Sequence, residues 1–179
     1  MFKQEKSSHS AERYSAHVWG FSNQTMILLD GKKLAEKIKT KLKTDFSGLK
    51  RKVVLAIVQV GDDAVSNKFI EQKKKVGEEI GVMTKTFCFK QNISQTFLRK
   101  KIGEIVHNKK ISGVIIQLPL PASFNVQDIL NSITSEKDVD VLSARAVGNY
   151  MVGKSDMMPP VVAATQVLLN EYSITYTDK

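Results

Sequence analysis

The residues best placed to do chemistry are two polar residues, Gln117 at the end of a buried strand and Lys73 on the packing face of a helix. Val114, Ile115 and Ile116 are typical of a strand buried on both faces, and Pro119 cannot donate to a sheet ladder, so the strand ends near Gln117. In open α/β sheets, ligands bind at the carboxyl ends of the strands. Gln117 can therefore reach a ligand, although a glutamine bonded to water or to a neighbouring loop has the same pattern.

Lys73 is the second candidate. The sequence predicts a helix from about Asp63 to Ile80 that Gly81 closes. Projection at ~100° per residue places Lys73 on the apolar stripe of this helix and turns Lys74 and Lys75 away. The stripe consists of Val65, Phe69, Val76 and Ile80. Lys73 either extends its ammonium to the edge of the core or lies beside a ligand as a proton-transfer group.

The elements that position these residues alternate between strand and helix. Apolar runs at 53–58, 83–89 and 113–116 predict three strands. Predicted helices cover about 32–43 (Leu34, Ile38 and Leu42 inward), 63–80, the segment that Ser94 caps (carrying Phe97, Leu98, Ile102, Ile105 and Val106), 126–133, 143–150 and 161–172. This alternation favours parallel pairing through crossovers, and hence a three-layer α/β sandwich with a mainly parallel sheet.

Four motifs in order carry a family resemblance. The segments Ser66–Lys73, Glu78–Gly81, Gln117–Pro121 and Lys137–Asp140 resemble the motifs of the bifunctional methylenetetrahydrofolate dehydrogenase / methenyltetrahydrofolate cyclohydrolase family. The resemblance covers roughly Met26 to the C-terminus. It implies a folate-binding catalytic domain that hydrolyses 5,10-methenyltetrahydrofolate to 10-formyltetrahydrofolate.

The resemblance also implies roles for single residues. Lys73 matches the lysine of the central proton chemistry, Gln117 the amide that positions it, and Asp140 the carboxylate that accepts hydrogen bonds from the pterin ring. Phe69 provides an aromatic surface on which the folate stacks. The expected substrate contacts are Phe69, Ile70, Gln72, Ile116, Leu118 and Pro119.

Three positions depart from the family pattern. Phe69 stands where the family usually has tyrosine, so a hydroxyl is lost. Val141 replaces a glycine, and a positive φ at this position would strain the loop that holds Asp140. The segment Pro159–Ala164 replaces a Pro-Cys-Thr-Pro motif. We expect these departures to reduce catalytic rate more than folate binding, which leaves a catalytically weak folate-binding protein as an alternative.

The resemblance implies a Rossmann-type second domain that follows the catalytic one, and we expect it to be absent from this chain, which ends at Lys179. No G-x-G-x-x-G or G-x-x-x-x-G-K-[ST] turn occurs in the sequence. We therefore expect no cofactor site in this chain, with NADP or NAD bound only if the second domain is supplied. The chain is then either a fragment or a natural single-domain protein. His9, His17 and His107 lack metal-ligand spacing, so no metal is expected.

Composition indicates one domain with tails. We predict a disordered extension at 1–25, a folate-binding catalytic domain at 26–160, and an inter-domain helix remnant with a C-terminal tail at 161–179. The extension has no apolar core typical of a secretory signal, and no apolar run is long enough to span a membrane. Cys88 is the only cysteine, which fits a reducing cytoplasm.

The net charge of +9 raises an alternative from a different class, a basic nucleic-acid-binding module. The cations are nearly all lysine, and neither interleaved aromatics nor a helix-turn-helix pattern accompanies them, so a solvated lysine face is the favoured interpretation. The positive field can also attract the polyglutamate tail of cellular folates. The resemblance further implies a homodimer.

Overall fold

A three-stranded parallel sheet lies at the centre of the computed structural model, which describes residues 27–176. The extension predicted at 1–25 lies outside these residues. The strands are β1 (Val54–Val60), β2 (Met83–Phe89) and β3 (Gly113–Ile116). The helices are α1 (Gly31–Ser47), α2 (Ala64–Ile80), α3 (Gln95–His107), α4 (Val126–Leu130), α5 (Ala144–Met151) and α6 (Pro160–Glu171).

The strand order is β2-β1-β3, so the chain crosses from one side of β1 to the other through α3. Leu55 of β1 lies opposite Thr84 of β2 and opposite Gly113 of β3, both in parallel register. An isolated parallel bridge joins Val114 to Asp138 and places the segment after α4 beside β3. The predicted α/β class with a parallel sheet is confirmed.

Side-chain alternation along β1 divides the core between the two faces of the sheet. One face packs against α3 and α4 in a continuous cluster that includes Val54, Ala56, Val58, Val60, Leu98, Ile102 and Ile129. On the other face, the buried Gln59 donates from Nε2 to Asn67 Oδ1 of α2 at 2.6 Å. Helices therefore cover both faces, which gives the predicted three layers.

The face of α2 that packs on the sheet differs from the predicted stripe. Ser66, Ile70 and Gly77 are its buried residues, one position after Val65, Phe69 and Val76, which are largely exposed. The predicted stripe was wrong because Phe69, Val76 and Ile80 line an open cavity instead of the core. Lys73 falls between Ile70 and Gly77 on the buried side as well, so its inward position does not depend on that error.

Gly77 allows α2 to approach β2 closely. A Cβ atom at this position would lie 2.9 Å from Thr84 Cγ2 and 3.0 Å from the Val82 carbonyl oxygen. Both distances are shorter than ordinary van der Waals contacts. A larger residue at 77 would push α2, and Lys73 with it, away from the sheet.

Local signals fix the helix ends. Asp63 caps α2 by accepting from Ser66 N at 2.7 Å, and this hydrogen bond lowers the pKa of its carboxyl group. Gly81 ends α2 in the left-handed conformation at φ 84°. Ser94 caps α3 through Phe97 N, as predicted.

The structure differs from the sequence-based predictions in two further details, the exposure of an apolar residue and the end of a helix. Ile38 of α1, predicted to point inward, is 38% exposed, and Phe97 of α3 is 48% exposed. The helix predicted at 126–133 ends at Leu130. Among the helices of residues 27–176, none combines the length and apolar character needed to cross a membrane.

Candidate functional site

A cavity of about 660 Å³ lies between α2 and the beginnings of the strands, on the sheet face that α2 covers. Its lining is apolar apart from a few side chains, which include Lys73 and Gln72. The lining residues are Leu42, Phe46, Val53, Val54, Leu55, Phe69, Gln72, Lys73, Val76, Gly77, Ile80, Val82, Ser112, Gly113 and Val139. This volume and apolar character are typical of a small-molecule site.

Lys73 reaches from α2 to the end of β3. Its Nζ donates to Gln117 Oε1 at 2.8 Å, and Gln117 Nε2 donates to the Leu118 carbonyl oxygen at 2.7 Å. The second bond fixes the side-chain amide with its oxygen toward the lysine. Gln117 is buried, so the bond satisfies an acceptor that would otherwise be costly to remove from water.

The two neighbouring lysines have other surroundings. Lys74 forms an ion pair with Glu71 at 2.7 Å on the outer side of α2, and Lys75 is exposed. Lys73 is the one lysine of this trio that lines the cavity. The sequence-based distinction between Lys73 and its neighbours is therefore observed in the geometry.

Asp140 is half-buried near Lys73. Its burial raises the pKa of the carboxyl group, the Lys73 charge lowers it, and the negative charge of Asp138 raises it further. The net effect is a pKa above the ordinary value. The structure thus brings Lys73, Gln117 and Asp140 together, although Gln117 and Asp140 are not part of the cavity wall.

The segment that carries Asp140 is held against β3. Val114 N donates to the Lys137 carbonyl oxygen at 2.8 Å, and the Lys137 ammonium bonds to the carbonyl oxygens of Val106 and Asn108 at the end of α3. Val141 has φ 53°, the left-handed conformation that disfavours a β-branched residue. The positive φ considered from the sequence is therefore present beside Asp140.

The other residues predicted to contact the substrate fall into two groups, those that line the cavity and those that are buried in the interior. Phe69, which is 51% exposed, and Gln72 line the cavity. Ile70 is buried under α2, and Ile116 belongs to the core on the α3 face, so neither side chain lines the cavity. Leu118 packs partly against that same core. Strand and helix alternation turns both the Ile70 and the Ile116 side chains into the interior. Their contact with a substrate stays a prediction.

Pro119 lies in a different place. It lines a smaller crevice of about 250 Å³ at the carboxyl ends of the strands, together with Asp62 and Asp63. The Leu118–Pro119 peptide bond is cis. Pro119 therefore borders the strand-end turn next to Gln117 and is not part of the apolar cavity.

Sequence reasoning missed two residues that shape the cavity, Gly113 and Val139. A Cβ atom on Gly113 would lie 2.5 Å from Val139 Cγ1, so the glycine lets the Asp140 segment approach β3. The glycine at the start of the strand was the available signal, since a strand glycine often marks a close approach.

The first strand-to-helix turn does not fit a dinucleotide. Pyrophosphates bind where glycine-rich backbone N–H groups open a helix, but here Asp62 and Asp63 stand at that position and Asp63 occupies the α2 cap. Their negative charges would repel phosphate. For metals, residues 27–176 contain no group of three or more His, Cys, Asp or Glu side chains suited to hold an ion.

Some of the basic residues form a separate surface. Five cations surround a cavity of about 390 Å³ at the amino ends of β1 and β2, namely Arg51, Lys52, Lys85, Lys109 and Lys110. Val54, which borders it, points its side chain into the α3-side core. The basic cavity and the Lys73–Gln117 pair are therefore at opposite ends of the strands.

A parallel sheet between helices, with a lysine and an amide meeting at a strand end, is typical of α/β domains that bind ligands at the carboxyl ends of their strands. The chain belongs to the tetrahydrofolate dehydrogenase/cyclohydrolase family, whose catalytic-domain model matches residues 29–140. This match includes Lys73, Gln117 and Asp140.

Similar proteins agree with this membership. The chain is 36% identical over 159 residues to the bifunctional protein FolD of Sulfurihydrogenibium sp., covering 86% of this chain and 56% of that one. It is 41% identical over 155 residues to FolD of Mycoplasma mobile, with 86% and 54% covered. The solved structure of the FolD methylenetetrahydrofolate dehydrogenase/cyclohydrolase from Campylobacter jejuni matches with a TM-score of 0.81 and 36% identity, covering 84% and 55%. The chain thus spans about half the length of these relatives.

We expect Gly113→Ala to lower the free energy of unfolding by about 1–3 kcal/mol, because the added methyl group overlaps the stiff, β-branched Val139 side chain. Urea unfolding measures this. The double variant Gly113→Ala/Val139→Ala should recover much of the loss. A double variant less stable than the sum of the two single variants would contradict the close-approach account.

We expect Val141→Gly to be more stable than Val141→Ala by about 1 kcal/mol, because glycine has no penalty at positive φ. Urea unfolding of the two variants gives the difference. Val58 in β1 is the matched control, and there the alanine variant should be the more stable by roughly 0.5–1 kcal/mol. The same order at both sites would show that no strain is stored at Val141.

Proposed function

We propose that this chain is a folate-dependent catalytic domain that hydrolyses 5,10-methenyltetrahydrofolate to 10-formyltetrahydrofolate. The observation that carries the proposal is the 2.8 Å hydrogen bond between Lys73 Nζ and Gln117 Oε1 beside an apolar cavity. Family membership supports it, because the relatives are bifunctional FolD proteins.

In the proposed reaction, water attacks the methenyl carbon between N5 and N10, and the bond from this carbon to N5 then breaks. One water proton ends on N5 and the other leaves, so atoms and charge balance. Lys73 assists the proton transfers at the attacking water and at N5. Lys73 lines the cavity. In this proposal its neutral amine accepts the proton from the attacking water, and the resulting ammonium donates a proton to N5.

Three other residues orient the substrate in this proposal. Gln117 holds the lysine through its fixed amide oxygen. Asp140 accepts hydrogen bonds from the pterin ring, and Phe69 stacks on the benzoate part of the substrate with its exposed ring face. Phe69 lacks the hydroxyl of the tyrosine that is usual in the family, which favours a catalytically weak folate-binding protein as the second candidate.

Finer aspects of the function also belong to the proposal. The net charge of +9 supports a polyglutamylated folate substrate, whose tail is anionic. Cys88, the one cysteine, is unpaired, which supports a cytoplasmic location. The family resemblance supports a homodimer.

Methylenetetrahydrofolate dehydrogenase activity requires a nicotinamide held against the folate. The carboxylates at the start of α2 give no support for phosphate binding within the described residues. We therefore propose that dehydrogenation takes place only when an NADP- or NAD-binding domain is supplied to this one.

We expect Lys73→Met to lower the rate of methenyltetrahydrofolate hydrolysis by roughly 10²–10⁴-fold, because it removes the proton-transfer group. Loss of the substrate's absorbance measures the rate. Lys74→Met and Lys75→Met are matched controls that remove the same charge outside the cavity and should stay close to the wild-type rate. Small and equal effects at the three positions would contradict the role of Lys73.

The rate of hydrolysis separates the second candidate from the first, and binding separates both from a nucleic-acid-binding module. A catalytically weak folate binder retains its folate affinity but shows negligible hydrolysis before any substitution. A nucleic-acid-binding module instead binds oligonucleotides with an affinity that falls steeply with salt. The hydrolysis rate of the unsubstituted chain, with titrations of folate and of an oligonucleotide at two salt concentrations, distinguishes these outcomes.

We expect NADP to show no measurable binding to this chain, with or without folate. The physical reason is the pair of carboxylates where a phosphate-binding turn would need backbone N–H groups. Calorimetric titration measures this, with folate as the positive control. Micromolar NADP binding would show a cofactor site among residues that we assign to the folate cavity or to the lysine surface.

A further inference from the structure

Asp138 is the most deeply buried carboxylate of the described residues, with 1% of its surface exposed. A buried carboxylate is costly unless hydrogen bonds or charges compensate it. Asp138 Oδ2 accepts from Ser143 N at 2.7 Å and from Leu142 N at 3.1 Å. The residue is therefore built into the interior with specific partners.

These hydrogen bonds close a short loop around Asp140. Asp138 stands at the start of the loop and Ser143 at its end, where Ser143 also caps α5 through Ala146 N. Asp140 and the strained Val141 lie between the two. One side chain thus fixes both ends of the segment that presents Asp140.

The negative charge of Asp138 also acts electrostatically on the carboxyl group of Asp140. The charged groups that act on Asp140 are Lys73 of α2, which lowers the pKa of its carboxyl, and Asp138, which raises it. Burial raises that pKa as well. The two charges therefore oppose one another from different elements.

We propose that Asp138 is a positioning residue for Asp140, which it holds toward the substrate beside the Lys73–Gln117 pair while supplying a buried negative charge next to it. This inference rests on the proposed function, because it takes Asp140 as the group that binds the pterin. A loop-closing role alone would need only the two hydrogen bonds, whereas a positioning role with charge also affects the ionisation of Asp140.

The variant Asp138→Asn separates the contribution of the hydrogen bonds from the contribution of the charge. The asparagine oxygen can accept from both backbone N–H groups, so the loop stays closed while the charge is lost. Removal of a neighbouring negative charge stabilises the ionised form of Asp140, so its pKa falls. The acid limb of the pH profile of folate affinity then moves to lower pH.

Asp138→Ala removes the charge and the hydrogen bonds together. We expect it to lower kcat/KM by roughly 10²-fold, because the reacting groups lose their alignment. If this variant does not fold, Asp138→Asn still carries the test. Asp45→Asn is the matched control, since it removes one negative charge from an exposed position of α1 that does not act on Asp140.

The direct measurement is a carboxylate NMR titration of Asp140 in the full chain without folate. Asp138→Asn should lower the pKa of Asp140, Lys73→Met should raise it, and Asp45→Asn should leave it unchanged. An unchanged titration in Asp138→Asn overturns the inference, whatever the chain does with folate. A lowered pKa in a chain that binds no folate overturns the proposed function instead.

Discussion

The hydrogen bond between Lys73 and Gln117 joins two elements that lie 44 residues apart. It exists because α3 carries the chain across β1, so that β3 ends beside the helix that precedes β2. The bond satisfies a buried amide and holds an ammonium at the wall of an apolar cavity. The rest of the candidate site is arranged around these two side chains.

Two glycines allow close backbone approaches around this site. Gly77 brings α2 against β2, and Gly113 brings the Val139 segment against β3. Both remove a side chain from places where the backbone must approach a neighbour closely. Both glycines line the cavity, together with Lys73 and Val139.

Much of the fold could be predicted because its signals are local. Asp63, Gly81 and Ser94 act within one helical turn, and the apolar runs of the three strands have lengths that match the observed ones closely. The inward position of Lys73 was also predictable. The stripe around it was not, because apolar residues such as Phe69 and Val76 cover a cavity, and hydrophobic periodicity does not distinguish a cavity wall from a core.

Which side chains enter the site was harder to predict, because it depends on which face of each strand or helix packs against which neighbouring element. Ile116 and Gln117 are adjacent in sequence, yet the pleat sends one side chain into the α3-side core and the other toward Lys73. Asp138 and Asp140 are two residues apart, yet Asp138 is buried and Asp140 is only half-buried, near Lys73. Val139 packs on Gly113 between them, and the positive φ of Val141 turns the backbone immediately after Asp140.

The loop around Asp140 shows how a strained backbone can persist. A β-branched residue at positive φ costs of order 1–3 kcal/mol, so its surroundings must hold it in place. Here Lys137 bonds to the end of α3, Asp138 bonds to the N–H groups of Leu142 and Ser143, and Val141 itself is buried. Strain next to Asp140 is therefore balanced by contacts on both sides, and the carboxylate that provides one of those contacts also acts on the charge of Asp140.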